Sequence, residues 1–155
     1  MKKSKSLALF SLIGVGFIFF LSNCNNAPEK KAEEATPPPA SMISDPLQDK
    51  GIGPVKSISL GKIDQNMVET GKKIYSAKCT TCHNPTQKLI GPPQKDVLKR
   101  RSPEWVMNMI LNTQEMLDKN DLAKGLLKEY NNVPMTNPGL KEEEARQVLE
   151  YFRTL

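Results

Sequence analysis

The chain has 155 residues, a length suited to one domain with accessory segments. Its hydrophobic fraction of 38% is low for a compact globule, so part of the chain lies outside any core. The formal net charge is +5, but three of the 22 basic residues are lysines in the amino-terminal segment, and removing them leaves 19 against 17 acidic residues, or +2. Since basic and aromatic residues are also not interleaved, the sequence argues against nucleic-acid binding.

The amino-terminal segment predicts export from the cytoplasm. Lys2, Lys3 and Lys5 precede an uncharged run over residues 7–21. A basic start followed by an apolar run of this length is typical of a signal peptide, and the run is short for a bilayer-spanning helix. An uncleaved amino-terminal membrane anchor is the alternative interpretation.

The sequence Leu-Ser-Asn-Cys at positions 21–24 resembles a bacterial lipoprotein signal, in which cleavage precedes the cysteine and the thiol is lipidated. Asn23 stands where such signals usually have Gly or Ala. Lipidation of Cys24 also accounts for a third cysteine, since a free thiol is a liability in an exported protein. The alternative is ordinary signal cleavage that leaves Cys24 as an unused thiol. We interpret residues 1–23 as a lipoprotein-type signal peptide and Cys24 as a lipid anchor on the periplasmic side of a bacterial membrane, inner or outer.

The segment after the signal predicts a flexible tether over residues 24–60. Residues 25–56 are rich in Pro, Ala and charge and hold half of the chain's 12 prolines, with no sustained apolar period. Such composition favours disordered or polyproline-like conformations over a packed core. A lipid-anchored domain on a tether of this kind can sweep a volume in search of partners.

Helical periodicity begins after Asp64, a candidate N-cap, and continues to the first cysteine of the domain. A second helix is predicted after Ser102, an N-cap followed by Pro103 at the first helical position. A third apolar pattern starts near Asp121, and a last helix opens with the acidic turn at 142–144. Because the sequence contains no strand alternation, hairpin signal or repeat, we predict an all-α domain over its last 95 residues, 61–155.

The stretch KCTTCHNP contains Cys79, Cys82 and the chain's only histidine, His83. A structural zinc site needs about four protein ligands, more than this motif supplies. A thioredoxin-like dithiol is expected at the amino end of a helix near a βαβ pattern, whereas this motif follows a helix in an all-helical context. Haem attachment fits better, because two thiols can form thioethers with the porphyrin and the imidazole can bind the iron as proximal ligand.

A haem held in this way needs a sixth ligand or leaves an open distal site. Since His83 is the only histidine, methionine is the leading donor. Met135 lies in NNVPMTNPGL, a loop with two prolines where a rigid backbone can hold a thioether over an iron. Met116 and an open site are the alternatives, and Met107 and Met109 are expected to pack in the core.

Four segments together resemble the class I c-type cytochromes of the bacterial monohaem kind, over essentially all of residues 61–155. They are GKKIYSAKCTTCH, GPP, VPM and EEEARQVLEYFRTL. The resemblance implies a small fold of helices wrapped around one covalently bound haem c, with iron between His83 and Met135. It also implies electron transfer without chemistry on a small-molecule substrate, so the protein is not expected to be an enzyme.

The resemblance implies further contacts. In that family the first and last helices cross at a glycine, here Gly71, packed against an aromatic residue, here Tyr151. The Pro92 carbonyl would accept the Nδ1–H of His83, a simple turn proline being the alternative. Gln94 stands where the family usually has Leu.

The sequence thus predicts a monomeric one-electron carrier outside the cytoplasm, between a respiratory donor complex and a terminal oxidase or reductase. One alternative is a haem enzyme or a sensor of gas or peroxide with an open distal site; another is a lipoprotein that uses Cys79 and Cys82 as a redox dithiol.

Trp105 is expected either to pack in the core or to donate to a haem propionate. Six basic residues would steer acidic partners toward the haem edge or form an ordinary solvated surface. They are Lys78, Lys88, Lys95, Lys99, Arg100 and Arg101.

Overall fold

The computed structural model describes residues 45–155, so the predicted signal peptide, Cys24 and the first part of the tether lie outside the described residues. Residues 45–155 contain five α-helices, one 3-10 turn and no strand, which confirms the all-α prediction. The helices are α1 (Gln65–Lys78), α2 (Pro103–Leu111), α3 (Thr113–Lys119), α4 (Asp121–Glu129) and α5 (Glu142–Phe152), and the 3-10 turn is Val97–Lys99. In this part of the chain, the helices are too short or too polar to cross a membrane.

The predicted helix starts are confirmed by their caps. Asp64 accepts the backbone N–H groups of Asn66 and Met67 at the start of α1. Ser102 Oγ accepts the N–H of Trp105 at 3.1 Å, with Pro103 in the first turn of α2. These side chains satisfy amide groups that have no partner inside the helix, and they fix where each helix begins.

The short helix α3 was not predicted as a separate element. Its N-cap is Asn112, which is also the C-cap of α2, and no glycine or proline separates the two helices. Asn112 leaves helical geometry with φ −131°, and its side chain donates to the Ile52 carbonyl and to Glu115. The break between α2 and α3 therefore depends on side-chain contacts that apolar periodicity does not report.

Helices α1 and α5 cross closely at Gly71. A Cβ atom there would overlap the backbone carbonyl of Gln147 and lie 2.9 Å from the Val148 nitrogen. The resemblance placed Tyr151 beside this glycine, and the atoms nearest to a Cβ at Gly71 are those of the α5 backbone about one turn before Tyr151. The Tyr151 ring packs on the ring of Tyr75, with 5.5 Å between centroids. The crossing aligns the end of α1, and the cysteine motif after it, with the core.

The end of the predicted tether differs from the prediction, since residues 49–55 lie against α2. Asn108 is fully buried, and its side chain donates to the carbonyls of Lys50 and Val55 and accepts the N–H of Val55. Val55 itself is buried, and Ser102 Oγ donates to the Asp49 carbonyl. The buried side-chain amide of Asn108 binds this segment through backbone groups. The spacing of apolar residues therefore did not indicate that the segment packs on α2.

A buried carboxylate joins the two ends of the domain. Glu150 on α5 is fully buried and accepts hydrogen bonds from Arg146, from Arg153 and, at 3.0 Å, from the backbone N–H of Asp64. Burial alone would raise the pKa of Glu150, but these hydrogen bonds outweigh it and hold that pKa below its ordinary value. Glu150 thereby fixes the start of α1 against α5.

Replacing Glu150 with Gln is expected to lower the free energy of unfolding by about 2 kcal/mol at pH 7, because charge-assisted hydrogen bonds are lost. The folded-state pKa lies below the unfolded one, so the carboxylate stabilises the fold above its unfolded pKa, and this contribution disappears as pH falls through the folded pKa. Urea unfolding of the haem-loaded protein at pH 7 and at several values below pH 4.5 measures both effects. The wild type should lose stability in acid more steeply than the variant.

The matched control is Glu69→Gln, at an exposed position on α1. It should change the free energy of unfolding little at any pH, since exposed charges contribute weakly. Equal acid dependence in the wild type and the Glu150 variant would contradict the role given to this carboxylate.

Candidate functional site

The cysteine motif forms a tight turn at the carboxyl end of α1. Cys79 is the C-cap of the helix, and its N–H donates to the Tyr75 carbonyl at 2.9 Å. The Cys79 carbonyl then accepts the N–H groups of Cys82 at 3.1 Å and of His83 at 2.8 Å. One carbonyl thus gathers two half-buried thiols and an imidazole at the end of one helix.

The electrostatics of the thiols disfavour a redox dithiol. Burial and the neighbouring Cys82 raise the pKa of Cys79 to about 11. Reactive dithiols instead have a lowered pKa, which the amino end of a helix or a nearby cation provides. Because Cys79 lies at a carboxyl end, it lacks that assistance. The two cysteines are not joined by a disulfide.

The imidazole of His83 is oriented by its neighbours. Its Nδ1 lies 2.9 Å from the carbonyl oxygen of Pro92, and the Tyr75 hydroxyl donates to the His83 carbonyl at 3.1 Å. The ring packs on Gly91, where a Cβ atom would lie 2.7 Å from Nδ1. Only glycine allows this approach. With Nδ1 engaged by Pro92, Nε2 is the nitrogen left to bind a metal.

The motif opens onto a cavity of about 380 Å³. Cys79, Cys82 and His83 line it, and so does Met135, a half-buried residue in the loop between α4 and α5. Apolar side chains from α2, α3, α4 and α5 also line it. The structure therefore brings together, around one space, the four residues that the sequence predicts to hold the haem and its iron.

Two other methionines clarify the choice of sulfur. Met116 is fully buried, its Sδ accepts the backbone N–H of Ile52 at 3.0 Å, and it is not among the residues that line the cavity. Met109 does line the cavity, from α2. The structure thus removes Met116 as a ligand and leaves Met109 as the second thioether beside Met135.

A half-buried cation at the cavity, Arg101, fits an acidic cofactor. Arg101 lines the cavity, and its Nε is buried without a hydrogen-bond partner within residues 45–155. Burial and the neighbouring Arg100 lower the pKa of Arg101, as expected for a cation lacking a close anion. Haem carries propionate groups, and a carboxylate at this site would satisfy the guanidinium. The residues present therefore fit haem.

Sequence reasoning missed this role for Arg101, which was expected at the surface. The guanidinium lies over the Trp105 ring, 5.3 Å from the centroid. Trp105 is buried, and its indole N–H donates to Asn120 at 3.0 Å rather than toward the cavity. The structure therefore favours the core role for Trp105, and Arg101 is the cavity residue that would contact a propionate of a bound haem. The sequence signal for this role was the position of Arg101, directly before the N-cap of α2, the helix that carries Trp105.

Comparison with known proteins gives one consistent family. The family model for cytochrome c matches residues 68–155. A search of curated proteins returned no significant match. Among solved structures, cytochrome c from Rhodothermus marinus is 42% identical with a TM-score of 0.64, and the match covers 66% of this chain and 88% of that one.

Two further structures agree with this result. An engineered form of the Rhodothermus marinus cytochrome c, bound to a carbene intermediate, is 41% identical with a TM-score of 0.61, over 66% of this chain and 88% of that one. The cytochrome c domain of a Pseudomonas putida protein is 26% identical with a TM-score of 0.50, over 54% of this chain and 85% of that one. The chain therefore belongs to the cytochrome c family, whose haem c is covalently attached, and Cys79 and Cys82 occupy the CxxCH position of that attachment.

Proposed function

We propose that this protein carries single electrons outside the cytoplasm, between a respiratory donor complex and a terminal oxidase or reductase. Membership of the cytochrome c family supports electron carriage by haem. The observation that carries the finer proposal is that His83 and Met135 line the same cavity, so one imidazole and one thioether are available to close both axial positions. An iron whose two axial positions are both occupied by protein side chains can exchange electrons without binding a substrate.

Each residue has a role in this proposal. Cys79 and Cys82 would form the thioethers, His83 Nε2 would be the proximal ligand, and Met135 Sδ would be the distal ligand. Pro92 holds the Nδ1–H of His83 and so fixes the ring and its tautomer. When bound, haem supplies an iron that alternates between the ferrous and ferric states. The soft sulfur of Met135 favours the ferrous state and so raises the reduction potential.

The exposed rim of the cavity supports docking of a redox protein. Ile90 and Val133 line the cavity and are also 47% and 50% exposed. Apolar side chains at such an opening would contact a partner close to the haem edge. Lys78 and Arg100 line the same opening and are exposed, so an acidic partner surface would match it.

Three of the six predicted steering cations have local partners. Lys88 lies over the ring of Tyr130, 4.4 Å from its centroid, Lys99 pairs with Asp96 at 2.9 Å, and Arg101 lies over the ring of Trp105.

Of the six, Lys78, Lys95 and Arg100 remain as exposed cations that form no ion pair within residues 45–155. The proposed docking charge is therefore smaller than the sequence cluster suggested.

Location outside the cytoplasm, with a lipid on Cys24, is part of the same proposal. The basic and apolar start of the chain and the Leu-Ser-Asn-Cys sequence support it. Replacing Cys24 with Ser should release most of the haem-loaded protein from membranes into the periplasmic fraction, and mass spectrometry of the wild-type amino terminus should find a lipidated cysteine. Equal membrane retention of the variant, with an unmodified wild-type Cys24, would contradict lipid anchoring.

The experiment that tests the carrier is a redox titration of protein produced with haem c maturation. Haem should stay on the chain after denaturation, and it should be lost from a variant with Ala at both Cys79 and Cys82. The intact protein should titrate as a reversible one-electron couple and exchange electrons with a respiratory oxidase or reductase. Absence of covalent haem, or rapid turnover of peroxide by the wild type, would overturn the proposal.

A further inference from the structure

Gln94 lies against the proximal side of the site. The residue is only 9% exposed, although glutamine is usually a surface residue. Its side-chain Nε2 lies 2.9 Å from the Pro92 carbonyl oxygen and 2.9 Å from His83 Nδ1. One carbonyl, one imidazole nitrogen and one amide nitrogen therefore meet at a single half-buried point.

The donor inventory decides how these three groups share hydrogens. If His83 binds iron through Nε2, its Nδ1 carries a hydrogen and can only donate. The Gln94 amide nitrogen is also a donor, so the two nitrogens cannot bond to each other. The Pro92 carbonyl has two lone pairs and can accept from both.

The orientation of the amide sets the sign of any effect on His83. In the orientation that the structure gives, Gln94 Nε2–H donates to the Pro92 carbonyl at 2.9 Å. In the reversed orientation the Gln94 oxygen would face the Pro92 oxygen, another acceptor, and would accept the Nδ1–H of His83 instead, so that removing it would shift the Nδ1–H resonance and the potential in the opposite directions. Leu, which the resemblance gives at this position, has no hydrogen to donate.

We propose that Gln94 tunes the haem by competing with His83 for the Pro92 carbonyl. A carbonyl that already accepts one hydrogen bond is a weaker acceptor for the second hydrogen. The Nδ1–H bond of His83 is then weaker, the imidazole donates less electron density, and the ferric state is less stabilised. Gln94 is thus a positioning residue that raises the reduction potential, and the inference rests on the proposed assignment of His83 as proximal ligand.

The test compares Gln94→Leu and Gln94→Met with the wild type, all loaded with haem c. Removing the competing donor should strengthen the bond from His83 to Pro92. The Nδ1–H proton resonance of the ferrous protein should therefore move downfield, and the reduction potential should fall. A purely structural role predicts the opposite sign for the potential, because a less polar surrounding disfavours the more highly charged ferric centre.

Two variants of different shape separate hydrogen bonding from packing, since Met is unbranched and Leu is branched. Gln87→Leu, at an exposed position close to the motif in sequence, is the matched control and should change neither readout. An unchanged Nδ1–H resonance with an unchanged or raised potential in both Gln94 variants would overturn the proposal. Failure of the carrier assignment would show differently, since the wild type itself would then lack the iron–thioether charge-transfer band.

Discussion

Replacing Met135 with Ala is expected to abolish the weak iron–thioether charge-transfer band of the ferric protein and to let the ferrous protein bind CO rapidly. Alanine has no donor atom, so the distal position opens. The reduction potential should also fall, because the thioether favours the ferrous state. Absorption spectra of the ferric protein, rapid mixing of the ferrous protein with CO, and a redox titration measure the three effects.

Met109→Ala is the matched control, because Met109 lines the same cavity from α2. It should leave the band and the resistance to CO unchanged. The variant should lower only the free energy of unfolding, because packed side-chain atoms are removed. Loss of the band in the Met109 variant, with retention in the Met135 variant, would reassign the distal ligand to Met109.

Replacing Gly71 with Ala is expected to lower the free energy of unfolding by about 1–3 kcal/mol, the usual effect of overpacking. The added Cβ would overlap the Gln147 carbonyl, which belongs to the α5 backbone and cannot rotate away as a side chain could. Val at position 71 should lower the free energy of unfolding further than Ala. Urea unfolding of the haem-loaded protein measures the effect.

Gly125→Ala provides a control with the same chemical change and the opposite expected sign. Gly125 lies inside α4, and a Cβ atom there would meet nothing within 4 Å. Since Ala is the better helix former, this variant should be more stable by about 0.5–1 kcal/mol. A stabilising effect of Ala at Gly71 would contradict the close crossing of α1 and α5.

Features that depend on local sequence were predictable. The caps at Asp64 and Ser102 act on amides two or three residues away, so short patterns reveal them. The CxxCH spacing likewise specifies its own turn at the end of α1. The placement of α1 against α5 followed from the family resemblance, which identified Gly71 but not the backbone atoms that it contacts.

Features that depend on buried polar side chains were not predictable. Asn108 holds residues 49–55 on α2, although their composition indicated a tether. Arg101 and Gln94 were seen as a surface cation and as a departure from the family pattern. Their roles arise from atoms distant along the chain or from a cofactor's charge, which apolar periodicity does not encode. Met135 could be selected because a loop with two prolines surrounds it and because it ends the VPM segment of the family resemblance.

The most direct test of the carrier assignment is the reaction of the wild-type ferrous protein with CO, read beside the ferric spectrum. If Met135 closes the iron that His83 binds, the ferric protein should show the iron–thioether band, and CO should bind slowly because the sulfur must leave first. Rapid CO binding by the wild type, with no such band, would show an open distal site and contradict the assignment.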